Sequence, residues 1–471
     1  MMNKLSGLAL VGAIVLVGCD FEIVDNNAPT AEALEGRSAL ARAAAGIFSQ
    51  VNNDMQGQIQ QWGIYGREGY NLQGNDPRET GEEIGGPQDP QGRAGAQWGG
   101  KYQAIRTIHS YLAAIEETAE LTAEEKAAAR GFANTFAGWQ FYRLAVRTGP
   151  LGIPIDVNRP IDAEPAPFVS ESEAFAHALA LLDSGLADLG RAGGEFPFTV
   201  APGYTGFDTP ATFMQVNRAL AAKVNVDYAL LADCGTSCFQ NALTALGASF
   251  LTTTGLPGSL SMGAYLAYSS AAGEPQNPIT ETLGSARYFV HPSIGAMVQQ
   301  RGDGSDDLRY QNKVRQRSAD DGGPRSLNGL TSDLKPVMYN TNTAAESTPN
   351  QDADIPLTKN EELILLRAEA NLGLGNVQLA LDDIDLIRVN SGGLDPTTLT
   401  PASPTGDIVT ELLYNRLMSL LWEQGTRWVD ARKYDRLDQL PIDRAGDVVH
   451  PHMLVPAGEC DARGLNVPCT P

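Results

Sequence analysis

LILLRAEANLGLGNVQLALDDIDLIRVNSGGL, residues 363–394, followed by LLYNRLMSLLWEQGTRWVDARKYDRL, residues 412–437, is the stretch on which the fold turns. Leu363, Leu366 and Ala370 recur at three- and four-residue spacing, and so do Val377, Ala380, Ile384 and Ile387. Each set lines one face of a helix. Leu372-Gly-Leu-Gly-Asn376 breaks the period and turns the chain between them. No strand precedes Gly373-x-Gly375, so this is a helix-to-helix turn and not a phosphate loop. Ala368, Ala370 and Ala380 are small where the two helices cross, which lets their axes approach. Residues 392–406 read as loop, and 407–437 as the last helices.

The same order of features recurs upstream. Residues 217–246 carry Ala222, Ala229 and Ala242, with a longer turn that holds Cys234 and Cys238. Residues 127–189 read as a third copy with a large insertion. Paired helices with small crossing residues are how tetratricopeptide-type arrays stack, although no copy keeps that repeat's full consensus. Helix hairpins in a non-repeating bundle are the alternative. Further helices are expected from about Ala31 to Val51, from Trp98 to Ile115, from Thr122 to Gly149-Pro150, and after Ser170 or Ser172. Thr122 ahead of Glu124 and Glu125 is an N-cap with acids in the first turn. Residues 52–97 and 251–357 are rich in Gly, Pro, Asn and Ser and read as irregular. Strand-like alternation is scarce, so the class is mainly α.

Of 471 residues, 42% are hydrophobic, enough for a sizeable core; length alone suggests about three domains. The formal charge of −22 repels phosphate backbones, which argues against nucleic acid as a partner. The N-terminus has Lys4, an apolar run from Leu8 to Val17, and then Leu16-Val17-Gly18-Cys19. This is a secretory signal that resembles a bacterial lipoprotein leader, with the Cys19 thiol acylated, as by palmitate, and residues 1–18 removed. The run is shorter than the ~20 residues a spanning helix needs. Residues 19–30 then form a lipid-anchored tether, and the lipid is the only membrane contact expected.

Four cysteines remain, and they permit three pairings. Nearness favours disulfides Cys234–Cys238 and Cys460–Cys469. Cys-x3-Cys with no nearby His is a poor zinc pattern. His450-Pro-His452 is not the helical pair a metal prefers. Asp303, Asp306 and Asp307 have Val314 where an EF-hand needs Glu, so they read as a solvated turn. No H-E-x-x-H, G-x-S-x-G or Walker motif occurs, and no cofactor, metal site or catalytic residue is expected.

The quoted stretch resembles the C-terminal signature of the SusD/RagB family, lipid-anchored nutrient-uptake proteins of the bacterial outer membrane. Arg367-Ala-Glu-Ala370 and then Glu423-x-Gly-x-Arg427-Trp-x-Asp430-x-Arg432 carry it. RGFANTFAGWQFYRLAVRTGPLGIPI (130–155), Trp98-x3-Tyr102, Tyr70 through Arg78 and Val455-Pro456-x-x-Glu459 are also similar. The chain departs from the pattern at Leu454 and at Cys460. The resemblance implies tetratricopeptide-like helix pairs in a right-handed scaffold, with long irregular loops bearing the ligand site. It divides the mature chain into an N-terminal helical part, 31–250, and a C-terminal part, 251–471, packed as one unit. Glu423, Arg427 and Asp430, spaced by four and three, can pair on one helix face. With Glu369, Trp428 and Arg432 they form a structural latch, not a site.

Sugars offer C–H faces that stack on aromatic rings, and hydroxyls that need polar partners. Two segments supply both: Trp62, Tyr65, Arg67, Tyr70 and Asn71 in the first, and Tyr265, Tyr268, Arg287 and Tyr288 in the second. The expected function is capture of an oligosaccharide or peptide without bond breakage. The resemblance implies a TonB-dependent, SusC-like outer-membrane receptor as partner, with this chain as its surface-facing lid. A helical scaffold lipoprotein of the envelope and a glycan-cleaving enzyme are the rival readings.

Overall fold

The computed structural model describes residues 34–53, 55–160, 162–272, 274–341, 348–465 and 469. The leader, Cys19 and the tether lie outside them. The helices in chain order are α1 (Arg37–Asn53), α2 (Met55–Tyr65), α3 (Arg78–Gly81), α4 (Gly99–Glu117), α5 (Ala123–Thr148), α6 (Glu171–Leu189), α7 (Pro210–Leu231) and α8 (Thr236–Gly247). After the irregular middle come α9 (Pro292–Ala296), α10 (Leu308–Lys313), α11 (Asn360–Gly373), α12 (Val377–Ile387), α13 (Thr405–Leu420), α14 (Thr426–Lys433) and α15 (Ala457–Ala462). About half of the chain is helical, so the class is mainly α.

Local chemistry sets the helix starts. Thr122 accepts from the Glu125 N–H while Glu125 bonds back to the Thr122 backbone. Ser170 with Glu173 and Thr209 with Thr212 repeat this reciprocal cap at α6 and α7. Long helices pack as neighbours in sequence: α5 on α6, α7 on α8, α11 on α12. α6 meets α7, and α8 meets α11, so each pair packs on the next. Small residues make these crossings close. A Cβ added at Gly138 of α5 would lie 2.7 Å from the Ala178 carbonyl of α6, and one at Gly373 of α11 would lie 2.2 Å from the Phe239 ring of α8. Cys234 and Cys238 are bonded across the α7–α8 turn, with Cα atoms 5.7 Å apart; Cys460 and Cys469 are bonded at 5.5 Å.

One buried apolar cluster runs from Leu34 to Cys469, and a smaller one sits among α11, α12 and α13 around Ile364, Ile384 and Leu412. No helix among the described residues is long and apolar enough to cross a membrane.

Two expectations need correction. Residues 52–97 are not all irregular, because 55–65 form α2. Nine of its eleven residues are buried, so there is no polar face for a helical period to reveal. Two of its glutamines are bonded inside: Gln58 accepts from Arg143 Nε at 2.6 Å and Gln61 donates to the Arg93 carbonyl at 2.8 Å. Glu423, Arg427 and Asp430 do not share a helix face. α13 ends at Leu420, Gly425 takes φ +68°, and α14 starts at Thr426. Glu423 therefore pairs with Lys313 and Lys359 at 2.8 Å each, Asp430 pairs with Arg416 at 2.8 Å, and Arg427 has neither as a partner.

The irregular middle is held by short strands: β1 (Gly69–Asn71), β2 (Ile153–Pro154), β3 (Phe168–Val169), β4 (Gly263–Leu266), β5 (Tyr288–Val290), β6 (Val314–Gln316), β7 (Arg325–Leu327), β8 (Leu330–Ser332), β9 (Leu334–Pro336) and β10 (Ile355–Lys359). They pair antiparallel two by two, β1 with β5 and β4 with β10 among them.

Candidate ligand groove

Strand β4 alternates. Ala264 and Leu266 point inward and are buried, whereas Tyr265 stays half-buried on the other face, as the two-residue period of a strand requires. Tyr265 stands opposite Pro356 of β10, and Gly263 opposite Lys359. Gly263 is needed there, since a Cβ would meet the Thr358 carbonyl at 2.3 Å. This ladder brings the Tyr265 ring and the Lys359 side chain to one groove of about 590 Å³, within the range of ligand pockets. Met338, Tyr339, Asn312, Asp354, Ser261 and Lys313 complete its walls, and Glu361 and Glu423 its floor.

Lys359 Nζ donates to Glu423 Oε1 at 2.8 Å and to the Ser419 carbonyl at 3.0 Å, and lies 3.1 Å from Glu361 Oε2. Lys313 Nζ donates to the Ser419 carbonyl at 2.6 Å and to Glu423 Oε1 at 2.8 Å. An ammonium has three N–H donors, and among the described residues the third of Lys313 has no partner. Burial opposes ionisation of Glu361, but Lys359 and Lys313 outweigh it and hold its carboxyl down at about 2. Lys359 is raised: burial acts against its charge, and Glu423 and Glu361 prevail. For Lys313 burial prevails and the pKa falls. The floor is thus a fixed array of charges under an aromatic wall, and Asp354 is placed as an acceptor at the edge.

Most of the aromatic candidates lie elsewhere. Trp62, Tyr65, Arg67, Tyr70 and Asn71 are all buried, because α2 and β1 run through the packed interior. Trp62 and Tyr65 pack on Trp428 at 5.5 and 5.4 Å. The Arg67 guanidinium donates to backbone carbonyls of Ile64, Val448 and Pro441 at 3.0–3.2 Å. Tyr70 packs on His291 at 4.8 Å, and Asn71 accepts from the Gln73 N–H. These five, expected at a ligand surface, lie in the core instead. In the second segment Tyr288 packs on Trp422 at 5.7 Å, Arg287 pairs with Glu281 at 2.7 Å, and Tyr268 is buried. Tyr265 alone of the nine lines it. Lys313, Lys359, Glu361, Asn312 and Tyr339 were not anticipated. The one signal was Lys359-Asn-Glu-Glu362, four successive polar residues ahead of the apolar run Leu363–Leu366.

Of the latch residues, Glu369, Glu423, Trp428 and Asp430 are buried, and Arg427 and Arg432 are half-buried. Trp428 is fully buried and Arg432 lies over its ring at 4.8 Å. Both carboxylate oxygens of Glu68 accept backbone N–H groups, from Trp422 at 2.8 Å and Arg427 at 3.0 Å. Among the described residues no group of three or more His, Cys, Asp or Glu is placed to hold a metal. Asp307 of the acidic turn is buried and bonds Arg309.

No protein-family model matches the chain, and no curated protein matches it. Solved structures do. A SusD superfamily protein from Bacteroides vulgatus superposes with a TM-score of 0.67 at 14% identity, over 91% of this chain and 98% of that one. NanU of B. fragilis gives 0.65 at 13% identity, over 90% and 94%. A laminarin-binding SusD-like protein gives 0.63 at 14% identity, over 91% and 98%. The fold of this chain is the SusD fold, mainly α with joined helix pairs.

Proposed function

We propose that this chain is a SusD-type nutrient-uptake protein that binds an oligosaccharide, with the Tyr265 groove as its binding site. The observation that carries the reading is the groove itself. One ring is available for stacking on a sugar face, and the Lys313 N–H and the Asp354 and Asn312 side chains are available for hydroxyls. The SusD fold and the laminarin-binding protein that shares it support a glycan over a peptide.

Binding without cleavage is favoured by the charges. A general acid working near neutral pH needs a raised pKa, and Glu361 on the floor is shifted the opposite way. The carboxyls pushed up to about 8 and about 7, Glu83 and Glu171, do not line the groove. In this reading Cys19 is acylated, residues 19–30 tether the chain to the outer membrane, and 31–250 and 251–471 act as one unit that closes over a TonB-dependent, SusC-like barrel. Isothermal titration against a glycan and peptide panel tests the site. Saturable glycan binding supports it; a ligand that is hydrolysed, or a panel in which only peptides bind, overturns it.

A further inference from the structure

A second cavity, of about 340 Å³, opens between α13 and α14, away from the Tyr265 groove. Leu413, Tyr414, Leu417 and Leu440 make its apolar wall, Met297 stands 41% exposed beside it, and Arg427 lines it as well. The two acids there are paired. Glu411 is bonded by Arg388 and Gln299 and Asp430 by Arg416, while Arg436 at the exposed rim donates to Thr410 and also to the Gly406 carbonyl.

Arg427 is not matched. Its Nη1 donates to the Arg67 carbonyl at 2.8 Å and lies 3.5 Å from Ser293 Oγ. Nε and Nη2 have no partner among the described residues, and no carboxylate there pairs with the guanidinium. The nearby acid, Glu68, spends its oxygens on backbone N–H groups. Burial, opposed by Glu68 and assisted by Arg67, brings the guanidinium down to about 10. A half-buried cation whose free N–H donors stand beside an apolar cavity is suited to a carboxylate, which a guanidinium grips two-pronged.

We propose that this cavity binds a small organic acid, its carboxylate on Arg427 and its branched or aryl body against Leu413, Leu417 and Leu440. A free acid and the C-terminal residue of a peptide share this chemistry. The inference stands apart from the glycan reading, because none of these residues lines the Tyr265 groove.

The test uses the folded chain and isothermal titration with 4-methylpentanoate, its amide, and a tripeptide ending in leucine. The acid is expected to bind at least ten-fold more tightly than the amide. Tripeptide binding at or above the acid's affinity assigns a peptide terminus; acid binding alone assigns a free acid. Arg427→Gln is expected to abolish the acid-over-amide preference. Met297→Trp, at the partly exposed edge, keeps the test open if Arg427→Gln fails to fold, and is expected to weaken acid binding ten-fold or more with the urea midpoint unchanged. Equal binding of acid and amide, or no acid binding at 50 mM (about 2 kcal/mol of affinity), overturns the proposal.

Discussion

Lys433 Nζ lies 2.7 Å from Glu369 Oε1, an ion pair between α14 and α11 from which water is excluded on both sides. Lys433 also reaches Asp227 of α7 and Asp430 at 3.1 Å each, and Arg416 of α13 reaches Asp430 at 2.8 Å and Glu369 at 3.3 Å. Tyr142 and Tyr434 donate to Asp227 and Glu369 at 2.6 and 3.0 Å. Three carboxylates and two cations therefore tie α7, α11, α13 and α14 together where the last helices meet the array. Such a group is costly to bury and more costly to break. Lys433→Met leaves three acids against Arg416 alone, and should destabilise the chain by about 3–5 kcal/mol. Glu369→Gln keeps the shape and the acceptor oxygen facing Lys433 and Tyr434, gives up the contact to Arg416, leaves two acids for two cations, and should cost less. Urea unfolding of both singles and the double gives the coupling; additive effects would show that the pair is not a working contact.

Glu83 predicts a pH effect of known sign. It is fully buried, its two oxygens accept no hydrogen bond, and Arg93 Nη1 lies 3.5 Å away. Burial, opposed by Arg93 and reinforced by Glu79 and Glu82, pushes its carboxyl up from 4.5 to about 8. The folded chain then keeps a proton that the unfolded chain has lost. The contribution is full below pH 4.5 and is lost as pH rises to about 8, at roughly 1.4 kcal/mol per pH unit. Glu83→Gln should match the parent at pH 4 and exceed it by a few kcal/mol at pH 8, read as the difference in urea unfolding free energy. A difference that stays flat across this window removes the argument.

The groove predicts a split between affinity and stability. Tyr265 projects from an edge of the β4–β10 ladder, so Tyr265→Ala should weaken glycan binding by about 10–100-fold, the loss of ~1.4–2.8 kcal/mol, with little change in unfolding. Trp62→Ala, in the core against Trp428, should instead cost ~3–5 kcal/mol of stability. Titration and urea unfolding on both variants separate the two roles. A Tyr265→Ala protein that binds as the parent does moves the site elsewhere.

The same contrast shows what the sequence can carry. Thr122 and Ser170 announce their helices because a cap is a contact within four residues. The α11–α12 turn is legible because its glycines and its apolar period are local too. α2 was missed because burial on all sides erases the period that marks a surface helix. The groove was only a fraction legible, since aromatic residues look alike whether they pack or stack. Tyr265 faces out through its place on a four-residue strand, and Lys313, Lys359 and Glu423 meet only because three distant segments converge. The helix-face pairing expected of Glu423, Arg427 and Asp430 failed because α13 ends at Leu420, and Trp422 and Gly425, both at positive φ, turn the chain before α14 begins.

Two glycines put the stacking of helices to a test with opposite signs. In a helix interior Ala is favoured over Gly by about 1 kcal/mol. At Gly46 of α1 an added Cβ meets nothing within 4 Å, so Gly46→Ala should stabilise by about 0.5–1 kcal/mol. At Gly138 of α5 the Cβ would sit 2.7 Å from the Ala178 carbonyl and 3.0 Å from Leu182 Cγ. A backbone carbonyl inside α6 cannot rotate away, so the helices must separate, and overpacking of this kind costs about 1–3 kcal/mol. The overlap outweighs the propensity gain, and Gly138→Ala should lower the thermal midpoint while Gly46→Ala raises it. If both substitutions stabilise, α5 and α6 do not approach through Gly138, and the small-residue account of how the pairs pack is wrong at its longest crossing.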